Sequence, residues 1–150
     1  MPMLALLGGL AVAAVAVGAR AQGLQWKDCC EGDSCLFQVE DVKVSPDPPI
    51  IGQELTVSVA GAVTAEVSNG KGNFTVEVRA NGVWLPVTSY QVNVCDAVEC
   101  PVAPSDNYED SITLQVPEAG NPGLYRGRLS SFTTDGKPIQ CLDYITPLQD

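Results

Sequence analysis

The chain has 150 residues, enough for one domain, and carries 8 basic against 18 acidic residues, for a formal net charge of −10. So acidic a composition argues against nucleic acid or heparin as a partner, because phosphate binding requires clustered Lys and Arg, and it disfavours docking on anionic lipid by charge alone. Histidine is absent, so neither a Ser-His-Asp nor a Cys-His arrangement can be assembled, and we expect no enzymatic activity.

The first predicted element is a secretory signal peptide over residues 1–21. An apolar run from Leu4 to Val17 ends in Ala19-Arg20-Ala21, the small-x-small pattern that signal peptidase accepts. The run is shorter than the ~20 residues that a helix needs to span a bilayer. A short membrane anchor or a buried helix is the alternative. We expect a mature domain over residues 22–150 that is secreted or lumenal.

Six cysteines behind a signal peptide indicate three disulfides. Fifteen pairings are possible, but the neighbours Cys29 and Cys30 cannot bond to each other without strain. The simplest set of pairs closes two short loops with one disulfide each and joins the two ends of the domain with the third. The predicted pairs are Cys29–Cys141, Cys30–Cys35 and Cys95–Cys100. Without histidine or a CxxC unit, we expect no metal and no cofactor at these positions.

From Phe37 onward, apolar residues recur with a period of two, and turn residues interrupt them roughly every ten positions. A phase slip at Glu40-Asp41 predicts a β-bulge, and Asn81-Gly82 and Asp135-Gly136 predict hairpin turns. The alternation predicts seven strands, near residues 37–44, 55–63, 74–78, 84–94, 112–116, 125–129 and 139–145. The prediction is an all-β, immunoglobulin-like sandwich of about seven antiparallel strands, without an amphipathic helix.

Carboxylates are plentiful, but no two of them are singled out as a catalytic pair. Asp106, Glu109 and Asp110 lie in a polar segment that we predict to be a solvated turn. A glycosidase would need two such groups at a defined separation, which the sequence does not identify.

Asn73-Phe74-Thr75 is a glycosylation sequon. The strand phase places Asn73 opposite Phe74, so an attached glycan would point outward. Whether the site is occupied is left open by the sequence.

The predicted interior is rich in Val, with few large side chains. Gly61 and Gly127 fall at inward-phase positions and would leave room between the sheets. A tightly packed valine core and an open cavity are both compatible with this composition, and composition alone favours the closed core.

A series of short motifs runs through the predicted domain in a defined order. They are Trp26-Lys27-Asp28-Cys29, Val44 to Pro49 followed by Gly52, Glu99-Cys100-Pro101 at the end of the middle cysteine loop, Pro122-Gly123-Leu124-Tyr125, Asp135-Gly136 and Cys141. Over roughly residues 24–146, this order resembles the ML (lipid-recognition) family, which includes Niemann–Pick type C sterol carriers and phosphatidylglycerol/phosphatidylinositol transfer proteins.

The resemblance has implications for disulfides and ligand. The family's first-to-last and middle-loop disulfides fall on Cys29–Cys141 and Cys95–Cys100. Family members carry a lipid between two splayed sheets, which implies a pocket in this chain. The predicted lining residues are Phe74, Val76, Val78, Tyr90, Val92, Tyr125 and Leu129. The tight Cys30–Cys35 loop departs from the family pattern, and the lack of histidine removes the usual group that titrates at endosomal pH.

The main hypothesis is therefore a monomeric carrier of one sterol or phospholipid, active in endolysosomal, vacuolar or extracellular lipid transport. It would contact a membrane or a lipid-accepting protein transiently. The alternative is a non-lipid, immunoglobulin-like interaction module or receptor accessory protein with a closed core. Sterol or phospholipid, headgroup and protein partner are not distinguished by the sequence.

Overall fold

The computed structural model describes residues 23–150, and the predicted signal peptide lies outside the described residues. The elements in chain order are β1 (Gln25–Asp28), β2 (Phe37–Ser45), β3 (Glu54–Val63), β4 (Lys71–Ala80), β5 (Val83–Asn93), α1 (Val94–Ala97), β6 (Ser105–Gln115), β7 (Gly123–Phe132) and β8 (Pro138–Leu148). Within residues 23–150, no helix has the length and apolar character required to cross a bilayer.

The strands form two antiparallel sheets of unequal size. The larger has the order β1-β8-β7-β4-β5, and the smaller has the order β2-β3-β6. This confirms the predicted all-β sandwich, with eight strands in place of about seven. The additional strand, β1, spans four residues, which is too short for its alternation to be recognised, and it is held by pairing with β8.

Two local features of the strands follow directly from the sequence. The register of β2 against β3 shifts between Val39 and Asp41, which confirms the predicted bulge. Between β4 and β5, Asn81 and Gly82 both have positive φ, at 51° and 78°. Such angles are required at both central residues of a type I′ hairpin turn, so this turn prediction is also confirmed.

The solvated turn predicted at Asp106, Glu109 and Asp110 is wrong. β6 begins at Ser105, and all three carboxylates belong to the strand. Cross-strand pairing with β3 holds this segment, with Tyr108 opposite Gly61. Because β6 is an edge strand, its polar side chains remain accessible to water, and the hydrophobic alternation that normally reveals a strand is weak here.

The room expected at Gly61 and Gly127 is filled by neighbouring groups. A Cβ at Gly61 would overlap the carbonyl oxygen of Gln38 and approach the Phe37 ring to 3.1 Å. At Gly127 it would overlap the Tyr144 hydroxyl and lie 2.6 Å from that ring's Cε1. These glycines allow close packing.

All three predicted disulfides are present, with Cα separations of 4.9 Å for Cys29–Cys141, 5.9 Å for Cys30–Cys35 and 5.3 Å for Cys95–Cys100. The buried hydrophobic core lies in the same half of the sandwich as these disulfides. Its members are Phe37, Val39, Val63, Val67, Val102, Ile139 and Leu142. We call this half of the sandwich the closed end. The open end is the opposite half, which contains the β4–β5 turn, the start of β7 and the end of β6.

Candidate functional site

The predicted lining residues come together on one face of the five-stranded sheet. Residues paired across an antiparallel ladder share a face, and Phe74 pairs with both Tyr90 and Leu129. Val78 pairs with Tyr125 on the same face, and Val76 and Val92 follow at the same phase. All seven residues therefore face the smaller sheet. Their contact with a ligand remains a prediction.

An aromatic cluster forms the middle of this inner face. The Phe74 ring lies 5.1 Å from Tyr90 and 5.8 Å from Tyr144, centroid to centroid, and it stacks on Tyr144 with an interplanar angle of 14°. Tyr144 was not predicted as a lining residue. The alternation of Leu142, Tyr144 and Thr146 along the last strand would have placed it on the inner face. Together the three rings provide apolar area for contact with a large ligand.

The two tyrosines of the cluster are neutral at physiological pH. Burial raises the pKa of the Tyr144 hydroxyl well above its ordinary value, and the neighbouring Tyr90 raises it further. Burial also raises the pKa of Tyr90. The inner face of the larger sheet thus presents uncharged rings with hydroxyl groups at their edges.

The facing surface of the smaller sheet is apolar with one exception. β3 contributes Leu55, Val57 and Val59, which pair with Leu114, Ile112 and Asp110 of β6. Among the inward register positions of β3 to β8, Asp110 is the one carboxylate. The Tyr108 hydroxyl donates to its Oδ2 at 3.2 Å. Burial, followed by the charge and hydrogen bond of Asp110, raises the pKa of Tyr108.

The two sheets are open to solvent along β5 and β6. Both are edge strands, and no ladder joins them among residues 23–150. Six large apolar side chains on their inner faces are between 36 and 58% exposed. They are Val83, Leu85, Tyr90, Val92, Ile112 and Leu114. The inner faces of the sandwich therefore remain accessible on this side.

The opposite side of the sandwich is bridged at both ends. At the closed end, the amide of Leu36 donates to the Pro138 carbonyl at 3.0 Å, and at the other end the amide of Ile51 donates to the Gln149 carbonyl at 2.7 Å. These bonds connect the smaller sheet to the neighbourhood of β8. The inner faces are therefore accessible to solvent from one side, along β5 and β6, and we call the space between them on this side the cleft.

An open depression of about 520 Å³ lies beside the start of β6. It is lined by residues 99–105 and 108–110, which include the carboxylates of Glu99, Glu109 and Asp110 and no cation. In the described part of the chain, no group of three or more His, Cys, Asp or Glu is arranged to hold a metal ion. The surface beside the start of β6 is thus acidic.

The sequon lies away from this cleft. Asn73 is exposed on the outer face of the larger sheet, opposite in phase to Phe74. Its partner Thr75 directs its hydroxyl to the carbonyl oxygen of Arg128 at 3.5 Å. A glycan at Asn73 would leave the inner face free, and its presence remains a prediction.

Known proteins resemble this chain in sequence. The family model described as "ML domain" matches residues 23–148. A provisionally named phosphatidylglycerol/phosphatidylinositol transfer protein of Dictyostelium discoideum is 27% identical over 124 residues, covering 83% of this chain and 85% of the relative. The phosphatidylglycerol/phosphatidylinositol transfer protein of Mycosarcoma maydis is 33% identical over 129 residues, covering 81% of this chain and 64% of the relative.

Solved structures share the fold at lower identity. A Niemann-Pick type C2 protein from the Japanese carpenter ant superposes with a TM-score of 0.59 at 17% identity, covering 83% of this chain and 99% of that one. Chicken MD-1, solved in complex with lipid IVa, superposes with a TM-score of 0.53 at 11% identity, covering 82% and 97%. Since the family model spans nearly all of the described residues, the chain belongs to the ML domain family.

Proposed function

We propose that this protein is a lipid carrier, and not an enzyme, that holds one sterol or phospholipid in the cleft between its two sheets. The observation that supports this most strongly is the exposure of inner-face apolar side chains along β5 and β6. A sandwich with a closed core would bury these side chains against the facing sheet. A contiguous exposed apolar surface in a soluble protein commonly marks a binding site.

The physical basis of binding is the apolar area that a lipid covers. At about 25 cal/mol per Å², an acyl chain or sterol that buries about 400 Å² would contribute on the order of 10 kcal/mol before the costs of association. The neutral rings of Phe74, Tyr90 and Tyr144 provide a broad contact for it. Affinity would depend on area and shape, while a few polar groups would orient the headgroup.

Phosphatidylglycerol and phosphatidylinositol are the first ligands to test, because sequence relatives carry these names. Sterol is the competing ligand, because the sequence motifs resemble a family that includes Niemann–Pick type C sterol carriers. Three disulfides suit an oxidising compartment, which supports a secreted or lumenal location. We propose that the protein acts there as a monomer in extracellular or endolysosomal (vacuolar) lipid transport.

The direct experiment is native mass spectrometry with lipid extraction on protein secreted from eukaryotic cells. We expect a one-to-one complex with a sterol or phospholipid. A protein that emerges empty, and then fails to take up fluorescent sterol, phosphatidylglycerol or phosphatidylinositol, would contradict the proposal and favour the interaction module.

A matched pair of substitutions on β5 tests where the ligand binds. Thr88 pairs with Val76 and so lies on the inner face, whereas Ser89 lies on the outer face, and both are exposed. We expect Thr88→Trp to fill part of the cleft and lower lipid affinity at least tenfold, with little effect from Ser89→Trp. Equal affinities in a fluorescent-lipid titration would place the ligand elsewhere.

A further inference from the structure

The few cations of this acidic protein are concentrated on one face. Residues 23–150 hold 7 basic and 18 acidic residues. The outer face of the five-stranded sheet carries five of the cations and two of the carboxylates, for a local charge of +3. The cations are Lys27, Lys71, Arg79, Arg126 and Arg128, and the carboxylates are Glu77 and Asp143. The remainder of the surface is correspondingly acidic.

Part of this basic face meets exposed apolar residues at the open end. Arg79 pairs with Trp84 across the β4–β5 hairpin. The guanidinium carbons of Arg126 and Arg79 lie 4.2 and 5.6 Å from the Trp84 ring. Arg126 also forms an ion pair with Glu77, at 2.7 Å. On the other side of β5, Val83 and Leu85 are 58 and 47% exposed. We call Arg79, Val83, Trp84, Leu85 and Arg126 the hairpin corner.

We propose that the hairpin corner docks on the surface of an anionic lipid bilayer. Arg79 and Arg126 would contact lipid phosphates, Trp84 would lie at the headgroup level, and Val83 and Leu85 would enter the boundary of the acyl chains. Aromatic side chains with an apolar body are favoured at membrane interfaces, and arginine is suited to phosphate contacts. Charge complementarity and the exposed apolar side chains of the hairpin support this orientation.

The net negative charge of the chain does not oppose this orientation strongly. At physiological ionic strength, charges are screened over about 8 Å. Facing sheets of a sandwich lie ~10 Å apart, so the acidic outer face of the smaller sheet lies beyond that distance. A bilayer in contact with the hairpin corner therefore interacts mainly with the basic face.

This orientation also brings the cleft to the membrane. Val83 and Leu85 lie on the inner face of β5, at the edge where the sheets are open. A lipid could then pass between the bilayer and the cleft with little exposure to water. The sequon does not interfere, because Asn73 is six residues from Arg79 on β4, a distance of about 20 Å.

The test is flotation of the purified protein with phosphatidylcholine vesicles that either lack phosphatidylserine or contain about 30% of this anionic lipid. We expect binding to the anionic vesicles that weakens as salt is raised. Arg79→Gln/Arg126→Gln should lower that binding at least tenfold. The matched control, Lys43→Gln/Lys137→Gln, removes the same charge from residues that lie outside the basic face and should bind as the parent does.

Several results would overturn the proposal. They are no binding of the parent to anionic vesicles, equal binding to neutral vesicles, or equal losses in the two double variants. Self-association through Trp84, detected by sedimentation as a dimer that Trp84→Ala dissolves, would assign the corner to a second copy instead.

A second measurement separates docking from the proposed lipid cargo. Lipid extracted from Arg79→Gln/Arg126→Gln should match the parent, because neither arginine lies on the inner face. A parent protein that binds anionic vesicles through the corner but carries no lipid would retain the docking proposal and contradict the carrier function.

Discussion

The closed and open ends of the sandwich are built from similar residues and are packed differently. At the closed end, Phe37 is 6% exposed and meets Tyr108 edge to face at 5.6 Å. At the open end, Leu85 on β5 is 47% exposed and Leu114 on β6 is 43% exposed, although both lie on inner faces. The difference arises because the sheets are linked at the closed end and along β8, but not along β5 and β6.

This contrast indicates that the tightly packed core and most of the accessible apolar surface occupy different parts of the sandwich. A folded domain is stable by only about 5–15 kcal/mol, so the closed end must supply most of that margin. The open end can then keep apolar surface accessible without unfolding the rest. Substitutions at the two ends should accordingly have very different effects on the free energy of unfolding.

The largest expected effect is the loss of the disulfide that closes the longest loop. Cys29 and Cys141 are 112 residues apart, whereas Cys95 and Cys100 are 5 apart. In the chain-entropy model, the long loop contributes about 5 kcal/mol and the short one about 2 kcal/mol. Urea unfolding of Cys29→Ser/Cys141→Ser and Cys95→Ser/Cys100→Ser should give this order. Equal losses would mean that loop length does not govern their contributions.

A comparison of apolar truncations tests the two ends directly. Phe37→Ala removes a buried ring and should lower the free energy of unfolding by about 3–5 kcal/mol. Leu85→Ala should change it by less than about 0.5 kcal/mol, because the side chain is already exposed. Both are measured by urea unfolding of lipid-free protein. A large loss for Leu85→Ala would show that the open end is packed in solution.

The smallest effect concerns a surface ion pair, and it depends on pH. Arg128 donates to both carboxylate oxygens of Asp143, at 2.6 and 2.9 Å. This hydrogen bonding lowers the pKa of Asp143 below its ordinary value, with the charges of Arg128 and Lys27 contributing further. Because the folded pKa is the lower one, the stabilisation is complete above the unfolded value, about 3.9, and is lost as pH falls through the folded value.

We expect Asp143→Asn to lower the free energy of unfolding by less than about 1 kcal/mol at pH 7, because the pair is partly exposed. The difference from the parent should shrink as the pH falls below the unfolded value, about 3.9. Asp41→Asn, at the looser 3.5 Å pair with Lys43, is the control and should have no measurable effect. A difference that grows on acidification would contradict the assignment.

The sequence was sufficient for features that depend on near neighbours. Strict alternation of side chains identified most strands, Asn81-Gly82 identified a hairpin, and the phase slip at Glu40-Asp41 identified a bulge. Cysteine spacing predicted all three disulfides, since the adjacent pair and the short loops left few economical solutions. The inward phase of the seven proposed lining residues was also readable, although their role in binding remains a prediction.

Features that depend on distant segments required the tertiary structure. The division into five and three strands, the acidic segment that became β6, and the ring of Tyr144 over Gly127 all depend on which strands pair. The basic face is assembled from β1, β4 and β7, whose cations are far apart in sequence. Strand alternation is set by the stereochemistry of the local backbone, whereas these arrangements are set by pairings between segments that no local pattern specifies.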